Sequence, residues 1–348
     1  MKPHRILIIR PDRIGDVVLT TPLIRAVKQT FPDAFVGVMV NSISGVLLKH
    51  NPNIDLLITD DPAGKDAGRS GFWNQVKALR RHAFDTGLMP LPRERHAWMM
   101  LLAGIGKRIG VGGKIYQILT ATRTVSRNKY IPLRHEADYV MDLGRKIGVT
   151  NDDISPELFL SEQEKELAKR FFTDRGFSLD LPIIGINPSS NKSVPNWRPE
   201  QYVQLCTLLA KKHQLFINIG AFAPDMEKHF TRFREKHIVY SGTDLRELIA
   251  VCSKLSVLVS SSTGTQHIAA ALKVPTVTMF CPLPACSYQL WGSLGNRSEV
   301  IQPSEGYCQH QCLGDPKVCT MDDISCEAVM TKIELLLNPS TTPERNLQ

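Results

Sequence analysis

Three short clusters hold residue types suited to group transfer. The first is Arg10-Pro11-Asp12-Arg13-Ile14-Gly15-Asp16. A glycine followed by an aspartate at a helix start makes a turn and complements the helix dipole. The same Asp16 carboxylate, aimed out of the fold, can serve as general base toward a hydroxyl nucleophile. The second cluster is Asn187-Pro188-Ser189-Ser190-Asn191-Lys192. Hydroxyls and loop amides beside a lysine suit a diphosphate, and they equally suit a plain polar loop. The third is Ser260-Ser261-Ser262-Thr263-Gly264-Thr265-Gln266-His267. Gly264 lets a ligand approach the backbone, and the amides of a following helix would point at an anion such as a pyrophosphate. His267 falls one turn into that helix, where a histidine taken alone is more often structural than a ligand. The first strand–helix turn has no G-x-G-x-x-G, and the chain has neither a P-loop nor a D-x-D metal motif.

These clusters need strands that end just before them. Residues 5–10, 34–40, 55–59 and 85–89 read as strands, alternating with helical spacing over 16–30, 71–82 and 95–105. A seam rich in Asp, Asn, Ser and Pro follows at 150–156. Ser161 and Glu164 then form a capping box opening a helix through Phe172. The pattern restarts at Pro182, with strands at 183–187, 215–219, 238–240, 256–260 and 276–280. Helices are expected at 199–212, 224–236, 245–254 and 265–272, and an amphipathic one at 322–337. The expectation is an α/β protein of two doubly wound, Rossmann-like domains. Residues 1–175 form the first, 176–337 the second, and 338–348 a flexible tail. Such sheets bind ligands beyond the carboxyl ends of their strands, and a crevice between the domains is expected.

A chain of 348 residues accommodates two domains of roughly 150 residues. Hydrophobic content of 43% with 22% charged residues excludes global disorder. No apolar run approaches the ~18 residues of a spanning helix. The apolar stretch at 6–9 is too short for a signal peptide, so a cytoplasmic protein is expected. The net charge of +8 favours an anionic partner, and nucleic acid, anionic lipid or a phosphorylated sugar would each satisfy it. The eight cysteines begin at Cys206 and read as reduced thiols. Cys308, Cys312, Cys319 and Cys326 invite a zinc reading but lack a C-x-x-C pair, and no metal site is assigned.

The clusters, in this order, resemble the ADP-heptose:lipopolysaccharide heptosyltransferases. The matching residues include Ile6-Leu7-Ile8-Ile9-Arg10, Ile14-Gly15-Asp16-Val17-Val18-Leu19-Thr20-Thr21-Pro22, Asn51-Pro52 and Phe84-Asp85. His135 begins the helix that closes the first half. Further on, Gly185-Ile186-Asn187-Pro188, Trp197-Arg198-Pro199-Glu200, Thr243-Asp244-Leu245 and Thr263-Gly264-Thr265-Gln266-His267 match. The resemblance spans nearly the full length and ends on Val274-Pro275-Thr276 and the late cysteine segment. It implies a GT-B fold, two facing Rossmann-like domains, with the nucleotide held mainly by the second. It implies inverting transfer of heptose from ADP-heptose, or a related nucleotide-sugar, to a lipopolysaccharide inner-core acceptor. No metal or other cofactor is implied. Asp16 takes the place of the base. Ser189, Ser190, Lys192, Thr243, Ser262, Thr263, Gly264, Thr265 and His267 take the place of the nucleotide-sugar site.

Three departures stand out, one being that the loop after Gly220 (Ala221-Phe222-Ala223-Pro224-Asp225) lacks a clear acidic match for the nucleotide ribose. Ser262 and Pro195 occupy positions where the family usually has Asp and Lys, and Lys192 is the nearest substitute for the latter. Glycosyl transfer is therefore the primary reading and heptose the narrower one. Arg10, Arg13, Arg93 and Arg95 lie at or just beyond predicted strand ends of the first half. Either they are solvated surface arginines, or they bind an anionic glycolipid acceptor through bidentate forks. The resemblance favours the second, with peripheral contact at the inner face of the inner membrane and no nucleic-acid partner. The rival readings are a two-domain nucleotide-sugar epimerase and a non-catalytic carbohydrate-binding relative.

Overall fold

Short β-branched runs buried on both faces build the framework. Ile6, Leu7, Ile8 and Ile9 are all fully buried in strand β1 (Arg5–Ile9), as parallel strands sandwiched between helices require. The computed structural model describes residues 3–127, 130–190, 194–220, 224–312, 314–315 and 318–338. The first sheet contains β1, β2 (Phe35–Val40), β3 (Leu56–Thr59), β4 (Thr86–Met89), β5 (Lys107–Val111) and β6 (Arg123–Val125). Their order is β3-β2-β1-β4-β5-β6, with every pairing parallel. The second sheet contains β7 (Ile183–Asn187), β8 (Gln214–Asn218), β9 (Ile238–Tyr240), β10 (Val257–Ser261), β11 (Thr276–Met279) and β12 (Ser298–Ile301). It runs β12-β11-β10-β7-β8-β9, again wholly parallel. Each sheet thus repeats one doubly wound order. The direction of winding reverses between β1 and β4 in the first, and between β7 and β10 in the second. Those reversals are where such sheets open a ligand crevice at their carboxyl edge.

The chain divides into two compact units, Met1–Phe159 and Leu160–Gln348. The division falls upstream of the boundary read near residue 175, because helix Glu162–Thr173 belongs to the second unit. Its capping box forms as expected, with the Ser161 hydroxyl accepting from the Glu164 amide and Glu164 accepting from the Ser161 amide. Phe172 is fully buried with its ring 5.9 Å from Phe216 on β8. Glu164 receives a two-pronged hydrogen bond from Arg246, at 2.5 and 2.7 Å.

The helix expected over 16–30 forms as two, Ile14–Val18 and Thr21–Thr30. Pro22 has no amide to give the Val18 carbonyl, and the Thr21 hydroxyl donates to that carbonyl instead at 2.7 Å. Three strands went unread: β5, β6 and β12. β6 and β12 are sheet edges, short and polar in the way edges usually are.

Candidate active site

Asp16 sits on the short helix that follows β1, at the winding reversal of the first sheet. Its carboxylate accepts a hydrogen bond from Arg10. The Arg10 guanidinium is almost wholly buried, and a second acid lies against it, with Glu136 Oε1 at 3.2 Å. Asp12 is 3.6 Å away. Glu136 opens helix Glu136–Arg145, which His135 caps, and it also accepts from Arg127 at 2.8 Å. Glu136 is 1% exposed, whereas the Asp16 side chain keeps 15% of its surface open. Burial pushes the Asp16 carboxyl up and Arg10 pulls it down; Asp12 and Glu136 push it up again, leaving it above the ordinary carboxylate range. A partly desolvated carboxylate, fixed at one oxygen by a buried cation, has the form of a general base.

The four arginines separate. Arg10 is only 2% exposed, and its charge is turned inward onto Asp16 and Glu136. Its guanidinium therefore faces Asp16 and Glu136 and not the solvent, unlike the surface-facing arginine the acceptor reading requires. Arg95 is also turned inward. Its fork clasps the fully buried Asp60 at 2.9 and 3.0 Å and donates to the Asp66 carbonyl. His96 meets the same Asp60 at 2.9 Å. Burial alone would raise the Asp60 carboxyl, but His96 and Arg95 hold it below its ordinary value. Arg95 is thus spent on a structural ion pair, because Asp60 at the end of β3 needs a cation. Arg13 and Arg93 are exposed.

Of the residues expected to hold a nucleotide-sugar, those after β7 and β10 lie at the other winding reversal. Ser189 and Ser190 follow β7, and residues 262–267 follow β10. Asn218 donates to Asn187 at 2.7 Å and Asn187 donates to the Ser189 carbonyl at 2.9 Å, tying the loops after β7 and β8 together. The Ser189 hydroxyl donates to the Ile219 carbonyl. Helix Gly264–Ala271 begins after Thr263, whose side chain makes no capping bond. The Thr263 hydroxyl is buried without a partner, as is that of Ser260. The first amides of this helix therefore keep their donors for something else. Neither loop brings an acid, since residues 187–190 and 262–267 contain no Asp or Glu. His267 is buried in the helix. Thr243 is exposed and follows the edge strand β9, two strands from β7. Lys192 lies outside the described residues.

Glu136 and Arg127 were not singled out from the sequence. They lie far along the chain from Asp16, and only the fold brings them to it. All eight cysteines are free thiols. No group of three His, Cys, Asp or Glu capable of holding a metal occurs among the described residues.

A profile of glycosyltransferase family 9 (heptosyltransferase) matches residues 72–316. The chain belongs to this family. It is a glycosyltransferase with the GT-B α/β architecture of two parallel six-stranded sheets. Lipopolysaccharide heptosyltransferase 2 of Escherichia coli (strain K12) is 24% identical to the family 9 enzyme described here over 320 residues, covering 87% of this chain and 89% of the relative. The glycosyl transferase family 9 protein of Veillonella parvula DSM 2008 shares the fold with a TM-score of 0.82 at 20% identity, covering 97% of both chains. ADP-heptose lipopolysaccharide heptosyltransferase II of E. coli gives 0.78 at 21% identity, covering 98% of this chain and all of that one. The matched span takes in both loops of the second unit and Glu136 of the first. Asp16 lies ahead of it.

Proposed function

We propose that this family 9 enzyme transfers a heptose or related sugar from a nucleotide diphosphate donor to an anionic inner-core saccharide, with inversion and without a metal. ADP-heptose is the donor that the relatives' names favour. The observation that carries this reading is the partly desolvated Asp16 held by the buried Arg10. Asp16 takes the proton of an acceptor hydroxyl, and the acceptor oxygen forms its bond to the anomeric carbon. The bond from that carbon to the diphosphate breaks, and its electron pair leaves with the phosphate oxygen. Negative charge grows on the diphosphate as it departs. The uncapped amides of helix Gly264–Ala271 and the Thr263 hydroxyl are the preorganised donors to meet it. Lys192 supplies the compensating charge. Arg13 and Arg93, the exposed pair, contact the anionic acceptor. The setting is cytoplasmic, with peripheral contact at the inner membrane. No helix among the described residues is long and apolar enough to cross it.

The test is transfer from ADP-heptose to a core saccharide by wild type and Asp16→Asn. Turnover should fall by about two to four orders of magnitude, donor affinity should hold, and chelation of divalent cations should leave wild-type turnover unchanged. Near-normal turnover in the variant would remove Asp16 from the mechanism.

A further inference from the structure

Helix Ile115–Leu119 presents its apolar face the wrong way round. Ile115 and Ile118 are each 81% exposed and Leu119 is 65% exposed. These positions are spaced i, i+3, i+4, which places them on one helical face. The residues between them hold the helix down. Tyr116 packs on the apolar core of the first unit. Gln117 is 2% exposed, donates to the Val111 carbonyl at 2.5 Å and accepts from the Lys114 amide at 3.0 Å. The helix is thus anchored through its polar and aromatic side chains and lifts three large aliphatic ones into solvent. Nothing in the proposed transfer chemistry uses them.

The charge around this helix is mostly positive, with Glu94 and Arg93 both near Tyr116. Residues 95–135 include eight Lys and Arg and no Asp or Glu. Arg95, Arg127 and Arg134 are paired with carboxylates from outside that stretch. Lys114 at the head of the helix and Arg123 on β6 are exposed. Arg108 lies at the other end, donating to the Thr120 carbonyl at 2.8 Å. An exposed aliphatic face flanked by Lys114 and Arg123 has the composition of an interfacial anchor: the aliphatic chains enter the acyl boundary and the cations meet anionic headgroups. A second copy of the same face would bring like charges together, and a nucleic acid would leave the aliphatic trio unused.

We propose that Ile115, Ile118 and Leu119, with Lys114 and Arg123, form the surface by which this chain docks on an anionic lipid bilayer. It deepens the reading above, resting on it for the purpose of the contact but not for its evidence.

Flotation of the full-length chain with vesicles tests it. One set is phosphatidylcholine alone and the other contains phosphatidylglycerol; both lack any glycosyl acceptor, so the surface is read even if the transfer reading fails. The wild type should partition onto the anionic vesicles and weaken as salt rises. Ile115→Ser, Ile118→Ser, Leu119→Ser in combination should lose at least tenfold, and Lys114→Glu with Arg123→Glu should lose the preference for anionic lipid. Donor affinity and transfer to a soluble, delipidated saccharide should be unchanged in the triple variant, which verifies its fold. Equal partitioning of triple variant and wild type, or no partitioning by the wild type, would overturn the assignment. So would a wild-type dimer that the triple variant abolishes, since the occupant would then be a second copy.

Discussion

The two winding reversals share one strand order and are finished in opposite ways. At the first, charged side chains pair, although Arg10 Nε and Nη1, Glu136 Oε2 and Arg127 Nε are buried without a hydrogen-bond partner. Arg10 is enclosed by Asp12, Asp16 and Glu136, and Glu136 is shared with Arg127. At the second, the polar groups are left waiting. Thr263 does not cap its helix, and the hydroxyls of Ser260 and Thr263 are buried unpartnered. Under the proposed transfer, Asp16 must be held in place before its substrate arrives, and Arg10 does so. Under the same proposal, a cradle for the leaving group keeps donors such as the Thr263 hydroxyl open. The same topology therefore yields one site built on ion pairs and one built on neutral side chains and helix amides.

The contrast can be broken at its most costly point by Arg10→Met. This leaves Asp16 without its cation beside Glu136, which keeps only Arg127, and removal of one partner from a buried ion pair costs about 3–5 kcal/mol. Chemical denaturation measures it, and adding Glu136→Gln should recover part of the loss. An undiminished stability would mean that the first site is not built on charge. Gly264→Val strikes the other side. A branched side chain at the head of helix Gly264–Ala271 should screen its amides and weaken ADP by about 1.5–3 kcal/mol, the worth of a hydrogen bond to a charged group. Stability should hardly change, because no internal partner is lost. Calorimetry showing undisturbed ADP affinity would place the diphosphate elsewhere.

Charge reversal at the exposed Arg13 and Arg93 sharpens the comparison more gently. Solvent-screened contacts are worth about 0.2–1 kcal/mol each, so the acceptor KM should rise a few-fold while donor affinity stays put. The smallest effect lies in the pH dependence of stability. The Asp16 carboxyl is raised in the folded state, so the native chain holds its proton longer than the unfolded one. Stability contributed by the protonated form is then lost as pH rises from the ordinary value of 3.8 through the raised one. Melting curves of Asp16→Asn should accordingly gain on wild type across that window, and a gain in the reverse direction would show that Arg10 outweighs burial.

Some of this was legible in the residues alone. Ile183–Asn187 has the boundaries its composition dictates, since an aliphatic run buried on both faces has one reading. The Ser161–Glu164 box announced its helix because both partners are local. Asp16, Ser189 and Thr263 could be placed at strand ends for the same reason. What escaped was decided at a distance. The inward turn of Arg10 depends on Glu136, 126 positions away, and that of Arg95 on Asp60, 35 positions away. An arginine in a loop carries no local mark of whether a buried acid awaits it. Strands β6 and β12 were missed because an edge strand needs little hydrophobicity, and periodicity reads little else.

Helix Glu162–Thr173 has a consequence for how this architecture can be taken apart. Its Phe172 fills the core beside Phe216, and its Glu164 is what neutralises Arg246, drawn down to about 2 by that partner. A fragment begun at residue 176 would uncover Phe216 and leave Arg246 without this carboxylate. One begun at 160 carries both. The natural seam for swapping halves between relatives, or for studying one half by itself, lies ahead of this helix: whoever inherits the second unit inherits the strap that precedes it.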